Sequence, residues 1–177
     1  MAIPIEQAYL HCPRCATAHQ APGKVPFRCS ECGFAVFFGP VAAVGALIVN
    51  PANELLLVRR ARDPGKGQWG LPGGFVDQGE TVEQALEREV LEETQLRLTN
   101  IDLMMTFPNQ YDYHGVVSQV IDLFYLCQPE QPLEIKLELS ELDDYAWTHP
   151  GDEYLDNMAF ASNRRAIEYW MAGQPTL

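Results

Sequence analysis

The stretch GFVDQGETVEQALEREVLEETQL, residues 74–96, carries the strongest helix signal in the chain. Thr81 and Gln84 form a capping-box pattern, which is typical of a helix N-terminus. Three apolar residues then recur at steps of four and give the helix one apolar face: Val82, Leu86 and Val90. The stretch therefore predicts a helix over residues 81–95 that follows a glycine-rich turn.

The predicted helix carries three glutamates on one face. Glu89, Glu92 and Glu93 are spaced i, i+3 and i+4, so their side chains converge. Like charges at this spacing destabilise a helix, and Arg88 is placed to pair with Glu92 one turn later. A divalent cation such as Mg²⁺ prefers oxygen ligands and activates water beside a phosphate. A solvated acidic helix face is the alternative, and composition alone favours it.

The turn ahead of the helix favours the metal site. Leu71 and Pro72 lead into Gly73 and Gly74, and consecutive glycines allow unusual φ angles and close approach of the backbone. A backbone carbonyl in this turn is a candidate for a further metal ligand. The glycines and the carboxylates together therefore predict a cation site between the glycine turn and the carboxylate face of the helix.

This stretch resembles the Nudix box, G-x5-E-x7-R-E-U-x-E-E-x-G-U, in which U is a bulky aliphatic residue. The matching positions are Gly74, Glu80, Arg88, Glu89, Val90, Glu92, Glu93 and Leu96. Residues 67–74, GQWGLPGG, also resemble the usual lead-in to the box. Gln95 departs from the pattern, which has a glycine here because glycine tolerates the left-handed exit of a helix.

The resemblance implies a MutT-like Nudix pyrophosphohydrolase with an α/β/α sandwich and a mixed sheet. It implies that Glu89 and Glu93 bind Mg²⁺ or Mn²⁺, and that Gly74 contributes its carbonyl. Glu92 is then a further ligand or the base that deprotonates the attacking water. The expected reaction is hydrolysis of a nucleoside diphosphate linked to another group. ADP-ribose, FAD and NADH are the favoured substrates, although the Ser-Gln-Pro-Trp-Pro-Phe-Pro stretch of NADH pyrophosphatases is not in this sequence.

Four cysteines near the N-terminus form two C-x2-C pairs. Thirteen residues separate Cys12 and Cys15 from Cys29 and Cys32. Two such pairs predict a tetrahedral, structural Zn²⁺ site in a small zinc ribbon, because four thiolates leave no open position. Reduced thiols or a redox pair are the alternatives. The fifth cysteine, Cys127, lies in an apolar stretch and is expected in the core.

The charge of the chain argues against extended nucleic-acid binding. The formal net charge is −12, with +1 in residues 1–40 and −13 in the remainder. An acidic surface repels a phosphate backbone, whereas divalent cations can still bridge carboxylates to a small phosphorylated substrate. The sequence shows no signal peptide and no apolar run long enough to span a bilayer. We therefore expect a cytoplasmic protein with a small nucleotide substrate and no membrane partner, and a homodimer stays open.

The pattern of elements predicts two domains, a zinc ribbon over residues 1–40 and a Nudix domain over residues 41–177. Strands are expected at residues 41–49, 55–58, 103–107, 116–126 and 145–147. The first two are expected to form a hairpin. A last amphipathic helix is predicted over residues 156–171. Mixed strands with two helices indicate an α/β or α+β domain.

Several residues outside the box are candidates for substrate binding or catalysis. Arg59 and Arg60 belong to the densest basic cluster, with Arg62 and Lys66, and can bind phosphate; solvated loop charges are the equal alternative. Trp69 and Tyr111 can stack on a base or simply pack within the fold. Glu141 lies in a segment that resembles the late strand of many Nudix proteins, where it would supply a further carboxylate to metal or water.

A second class of function stays open at this point. Some Nudix domains are non-catalytic nucleotide sensors, and a zinc ribbon can serve as a docking element for a partner. The complete set of Glu89, Glu92 and Glu93 favours the enzyme over this alternative.

Overall fold

The computed structural model describes residues 2–131 and 134–173. The helices are α1 (Ile5–Ala8), α2 (Val82–Thr94), α3 (Asp152–Leu155) and α4 (Ala161–Met171). The strands are β1 (Ile3–Pro4), β2 (Phe27–Arg28), β3 (Ala35–Val36), β4 (Val41–Ile48), β5 (Leu55–Arg60), β6 (Trp69–Gly70), β7 (Leu98–Tyr113), β8 (Val116–Pro129) and β9 (Leu142–Thr148). Among the described residues, no helix is both long and apolar enough to cross a membrane.

The chain divides into two compact units. The first takes in the chain up to Val41 together with Gln110–Val120, and the second takes in Ala42–Asn109 and the chain from Ile121 onward. The strands β7 and β8 contribute residues to both units. The predicted division between residues 40 and 41 stays a prediction.

The first unit is built on short strands and a small core. β1 pairs in parallel with the start of β8, and β2 pairs with β3 in an antiparallel hairpin. Phe27 is 1% exposed and packs with the buried Cys12 and Cys29. Because so little apolar surface is buried in a unit of this size, a metal site would supply much of its folding free energy.

The second unit has two cores on opposite faces of its strands. Along β5, Leu56 and Val58 face the core that contains α2, whereas Leu55 and Leu57 face the core that contains α4. All four side chains are at most 2% exposed. A strand buried on both faces reads as a continuous apolar run, as β5 does. The layers are therefore helix, strands and helix, with antiparallel strand pairs and a parallel bridge from Trp69 to Met158, and the predicted α/β/α sandwich is confirmed.

Each predicted strand overlaps a strand of the structure, but one predicted strand pair does not form. The predicted hairpin of β4 with β5 is wrong: β4 pairs with β8, while β5 lies between β6 and β9. A single bridge, Val49 to Leu55, joins the ends of β4 and β5. The sheet therefore takes its neighbours from distant parts of the chain, which local alternation does not specify.

The last helix begins later than the sequence predicts. Residues 157–159 run beside β6 instead: Trp69 N–H donates to Asn157 O at 2.9 Å, and Ala159 N–H donates to Trp69 O at 2.8 Å. Backbone groups used in this pairing are not available to a helix, so α4 starts at Ala161.

Candidate active site

The helix α2 has the ends that its sequence predicts. The Thr81 side chain accepts from Gln84 N–H at 3.2 Å and the Gln84 side chain accepts from Thr81 N–H at 2.9 Å, so the capping box is complete. At the other end, Gln95 takes the left-handed conformation with φ 61°. Its backbone N–H and its side-chain Nε2 both donate to Leu91 O, at 3.0 and 2.8 Å. Gln95 therefore keeps the exit geometry of the box glycine.

The glycine turn lies against the buried end of α2. Gly73 N–H donates to Glu93 Oε2 at 2.9 Å. Gly73 has φ 143°, and an added Cβ there would overlap the carbonyl oxygen of Val44 on β4. Only glycine allows the turn to lie this close to β4 while presenting its N–H to the helix.

The second glycine of the turn makes room for Glu89. An added Cβ on Gly74 would lie 2.5–2.7 Å from the carboxylate atoms of Glu89, closer than any real contact. The Gly74 carbonyl accepts from Val44 N–H at 2.8 Å. A carbonyl oxygen has two lone pairs, so this bond leaves one for a further ligand.

Arg88 holds the carboxylates of the box. Its guanidinium donates to Glu80 Oε1 at 2.7 Å and to Glu89 Oε1 at 2.9 Å, and reaches Glu92 Oε2 at 3.3 Å. It also donates to Phe75 O at 3.1 Å, which ties the loop to the helix. The predicted pair of Arg88 with Glu92 is confirmed, but the shorter contacts are to Glu80 and Glu89. The ion pair lowers the pKa of Glu80 and raises that of Arg88.

Glu93 is the least solvated acid of the site. Its residue is 7% exposed, and burial raises the pKa of its carboxyl group to about 8, against the opposing hydrogen bond from Gly73. The charges of Glu89 and Glu141 raise it further, and the charge of Arg60 lowers it. Burial likewise raises the pKa of Glu89, against the effect of Arg88. The fold therefore brings Glu141 close to Glu89 and Glu93, and Arg60 close to Glu93.

The donor set suits a hard divalent cation. Carboxylates and a backbone carbonyl are the ligands that Mg²⁺ prefers, and Glu93 is a buried acid that no described cationic side chain contacts. One oxygen of Glu89 and one of Glu93 have no described hydrogen bond, because Arg88 and Gly73 each use a single oxygen. The carboxylate oxygens of the box glutamates do not form a compact ligand cluster in this structure. Among the described residues, only the four cysteines place three or more ligand atoms within 4.8 Å of one another.

The two arginines of β5 have different surroundings. Arg59 is paired with Asp143 at 2.6 Å and Asp144 at 3.4 Å, and its guanidinium lies 5.8 Å from the Trp69 ring. Arg60 donates to the backbone oxygen of Pro64 at 2.6 Å and makes no described ion pair. Its guanidinium lies over the Phe160 ring at 5.2 Å, a contact that no sequence pattern indicates. The charge of Arg60 is therefore less neutralised by neighbouring carboxylates than that of Arg59, which leaves Arg60 better suited to bind a phosphate.

The predicted aromatic candidates lie in different units. Trp69 packs in the α4-side core and makes an edge contact with Tyr154, with ring centroids 5.1 Å apart. Tyr111 lies on β7, in the part of that strand that belongs to the first unit. Trp69 thus has a packing role in addition to any role in binding.

The four predicted zinc ligands come together in the first unit. The ligand atoms of Cys12, Cys15, Cys29 and Cys32 all lie within 4.8 Å of one another. The quartet can therefore hold a zinc ion. Cys127 is 0% exposed, so its predicted place in the core is confirmed.

Comparison with known proteins assigns the family. The family model described as NUDIX domain matches residues 39–170, and the chain belongs to this family. A crystal structure of a MutT NUDIX hydrolase from Burkholderia pseudomallei is similar: it is 30% identical with a TM-score of 0.60, over 73% of this chain and 97% of that one.

Two curated relatives carry more specific names. An ADP-ribose pyrophosphatase of Methanocaldococcus jannaschii is 46% identical over 63 residues, which are 36% of this chain and 37% of the relative. The NAD-capped RNA hydrolase NudC of Haemophilus influenzae is 29% identical over 140 residues, which are 77% of this chain and 50% of the relative. The match therefore covers half or less of the length of these relatives.

Proposed function

We propose that this protein is a metal-dependent pyrophosphohydrolase that cleaves a nucleoside diphosphate linked to another group. The observation that carries the proposal is the position of Glu93, buried against the N–H of Gly73 with Glu89 and Glu141 beside it. A carboxylate in such a place needs either a proton or a cation. Family membership favours the cation.

Glu89, Glu92, Glu93 and the carbonyl of Gly74 would hold Mg²⁺ or Mn²⁺. When bound, the cation neutralises the diphosphate and lowers the pKa of the attacking water. Gly73 and Arg88 fix one oxygen each of Glu93 and Glu89, so the remaining oxygens have few orientations left. This preorganisation limits the reorganisation needed during the reaction.

The proton of the attacking water needs a carboxylate acceptor. Glu92 is exposed and only loosely held by Arg88, and Glu141 lies near Glu89 and Glu93. These observations support both Glu92 and Glu141 as candidate proton acceptors. Direct attack of water needs no covalent intermediate, and the described residues give no reason to add one.

The substrate side is proposed on Arg59, Arg60 and Trp69 of the second unit, and a binding role for Tyr111, in the first unit, stays a prediction. Arg60 is the best phosphate ligand of these, because no described carboxylate pairs with it. ADP-ribose leads the candidates, since the name of one relative is ADP-ribose pyrophosphatase, and FAD and NADH follow. Another relative is named for NAD-capped RNA, so the expectation against nucleic acid stays a prediction set by the acidic charge.

The zinc ribbon is proposed to be structural, with one Zn²⁺ on the four cysteines. Thiolates of all four residues would fill the coordination sphere and leave no position for a substrate. The cytoplasmic location fits these reduced cysteines and stays a prediction, as does the homodimer.

The test is a panel of ADP-ribose, FAD and NADH incubated with Mg²⁺ or Mn²⁺, with products identified by mass. Glu92→Gln should lower kcat by about 10²–10³-fold while the fold survives, since Glu92 is exposed. Glu87→Gln is the matched control, because Glu87 is an exposed glutamate of the same helix at an unspecified position of the box. Equal turnover in the wild type and Glu92→Gln would remove Glu92 from the mechanism, and no product with any substrate would favour the sensor.

A further inference from the structure

One ion pair near the proposed site lies outside the box. Arg62 Nη2 is 2.7 Å from Glu141 Oε1, with side-chain exposures of 59% and 33%. Arg62 follows the end of β5, and Glu141 precedes the start of β9. These two strands are paired, so the ion pair spans the point where both leave the sheet.

The backbone around Glu141 is fixed on both sides. Ala61 N–H donates to Glu141 O at 2.7 Å, and Glu141 N–H donates to Glu138 O at 3.0 Å. The side chain has less support: within the described part of the chain, Arg62 is its only polar contact, and Oε2 accepts no hydrogen bond. The orientation of the carboxylate therefore depends on Arg62.

The neighbouring charges act against this orientation. The segment before Glu141 is tied to α2, because Glu138 N–H donates to Glu93 O at 3.0 Å. Glu141 therefore lies near Glu89 and Glu93, and its charge raises the pKa of both carboxyl groups. Like charges repel, and a freed glutamate side chain regains several rotamers that lead into solvent. Without the positive charge of Arg62 on the side away from Glu89 and Glu93, the Glu141 carboxylate would spend most of its time away from those two acids.

We propose that Arg62 is a positioning residue that holds one oxygen of Glu141 and thereby presents the other to the water that attacks the diphosphate. The inference rests on the proposed function, since it assigns Glu141 as a proton acceptor in that reaction. Arg62 acts through Glu141 and touches neither substrate nor water.

A double-mutant cycle tests the inference, with kcat and KM measured for the substrate of the panel that turns over fastest, at saturating Mg²⁺. Arg62→Gln should lower kcat by about 10-fold and leave KM within about 2-fold, because only the orientation of Glu141 is lost. Glu141→Gln should lower kcat by about 100-fold. In the Glu141→Gln background, Arg62→Gln should have no further effect.

The matched control is Arg164→Gln. Arg164 is also a half-exposed arginine in an ion pair, 2.9 Å from Asp156 and 2.8 Å from Glu168, but on α4. Its loss should leave kcat unchanged. Thermal unfolding of each variant checks the fold, and exposed pairs of this kind contribute little to stability.

The outcomes separate the inference from the proposed function. If Arg62→Gln lowers kcat equally with and without Glu141, or raises KM, Arg62 contacts the substrate itself and the inference fails. It fails too if Arg62→Gln turns over as fast as the wild type, or faster, while Glu141→Gln is impaired. Full activity in Glu141→Gln removes both residues from the mechanism and leaves the hydrolase intact. A wild type that hydrolyses nothing overturns the proposed function.

Discussion

The glycine turn provides the most demanding test of how the site is built. Gly73 and Gly79 both have positive φ angles, 143° and 89°. An added Cβ at Gly79 meets nothing within 4 Å. At Gly73 it would overlap Val44 O and lie 2.9 Å from Val44 C and 3.0 Å from Gly45 Cα, all backbone atoms of β4. Gly73→Ala should therefore destabilise the protein much more than Gly79→Ala.

The expected difference follows from the contacts. A left-handed backbone costs a non-glycine residue about 1–2 kcal/mol, and Gly79→Ala should show this cost alone. At Gly73 the forced overlap adds about 1–3 kcal/mol. The turn cannot move away cheaply, because Val44 N–H and Ala46 N–H each donate to it at 2.8 Å, and one lost bond costs about 1 kcal/mol. The total of about 3–6 kcal/mol is a large part of an ordinary domain stability.

Urea unfolding followed by circular dichroism measures the free energy of unfolding for both variants. With a slope of about 2 kcal/mol per molar urea, the midpoint should fall by about 2 M in Gly73→Ala and by less than about 1 M in Gly79→Ala. Equal midpoints with unchanged slopes would refute the reasoning, because β4 would then tolerate a methyl group where the structure has no space for it.

Three further predictions concern the helix exit, a buried acid and the zinc ribbon. Gln95→Gly should raise the free energy of unfolding by about 0.5–1 kcal/mol, since relief of the left-handed strain exceeds the lost side-chain bond to Leu91; a melting temperature at or below that of the wild type would contradict this. Burial raises the pKa of Asp122, so the fold disfavours its charged form and wild-type stability is lost as pH rises through that pKa. Asp122→Asn should therefore stabilise the protein more at about pH 7 than at about pH 4 in urea unfolding, and an equal effect at both would oppose the assignment. Metal analysis should find about one zinc per chain in the wild type and in Cys127→Ser but much less in Cys12→Ser, and equal zinc in all three would exclude the ribbon site.

The sequence predicts α2 to within one residue at each end, because the signals are local. Thr81 and Gln84 define the N-terminus through bonds between near neighbours. The grouping of the four cysteines is predicted for the same reason, since each C-x2-C pair forms a local turn and the four thiols of two such pairs suit one zinc ion. Patterns that depend on a few neighbouring residues survive in the fold with little change.

The relations that the sequence does not specify are between distant segments. Nothing in residues 41–60 shows that β4 and β5 will take different partners, because both are apolar runs buried on two faces. The contact of Arg60 with Phe160 and the pair of Arg62 with Glu141 depend on which strands become neighbours. The charge cluster at residues 59–66 is visible in the sequence, but its division into paired and unpaired arginines is not.

The glutamates of α2 differ in whether a neighbouring cationic side chain offsets their negative charge. Repulsion between glutamates one turn apart costs only about 0.2–0.5 kcal/mol, and Arg88 offsets it for Glu89 and Glu92. Arg88 does not reach Glu93, whose carboxylate is penalised chiefly by desolvation and accepts one described hydrogen bond, from the neutral N–H of Gly73. Burial therefore disfavours the charged form of Glu93, which lies at the buried end of the carboxylate row beside the glycine turn. A divalent cation bound there would offset that cost, which supports the proposed metal position between Glu93 and the turn.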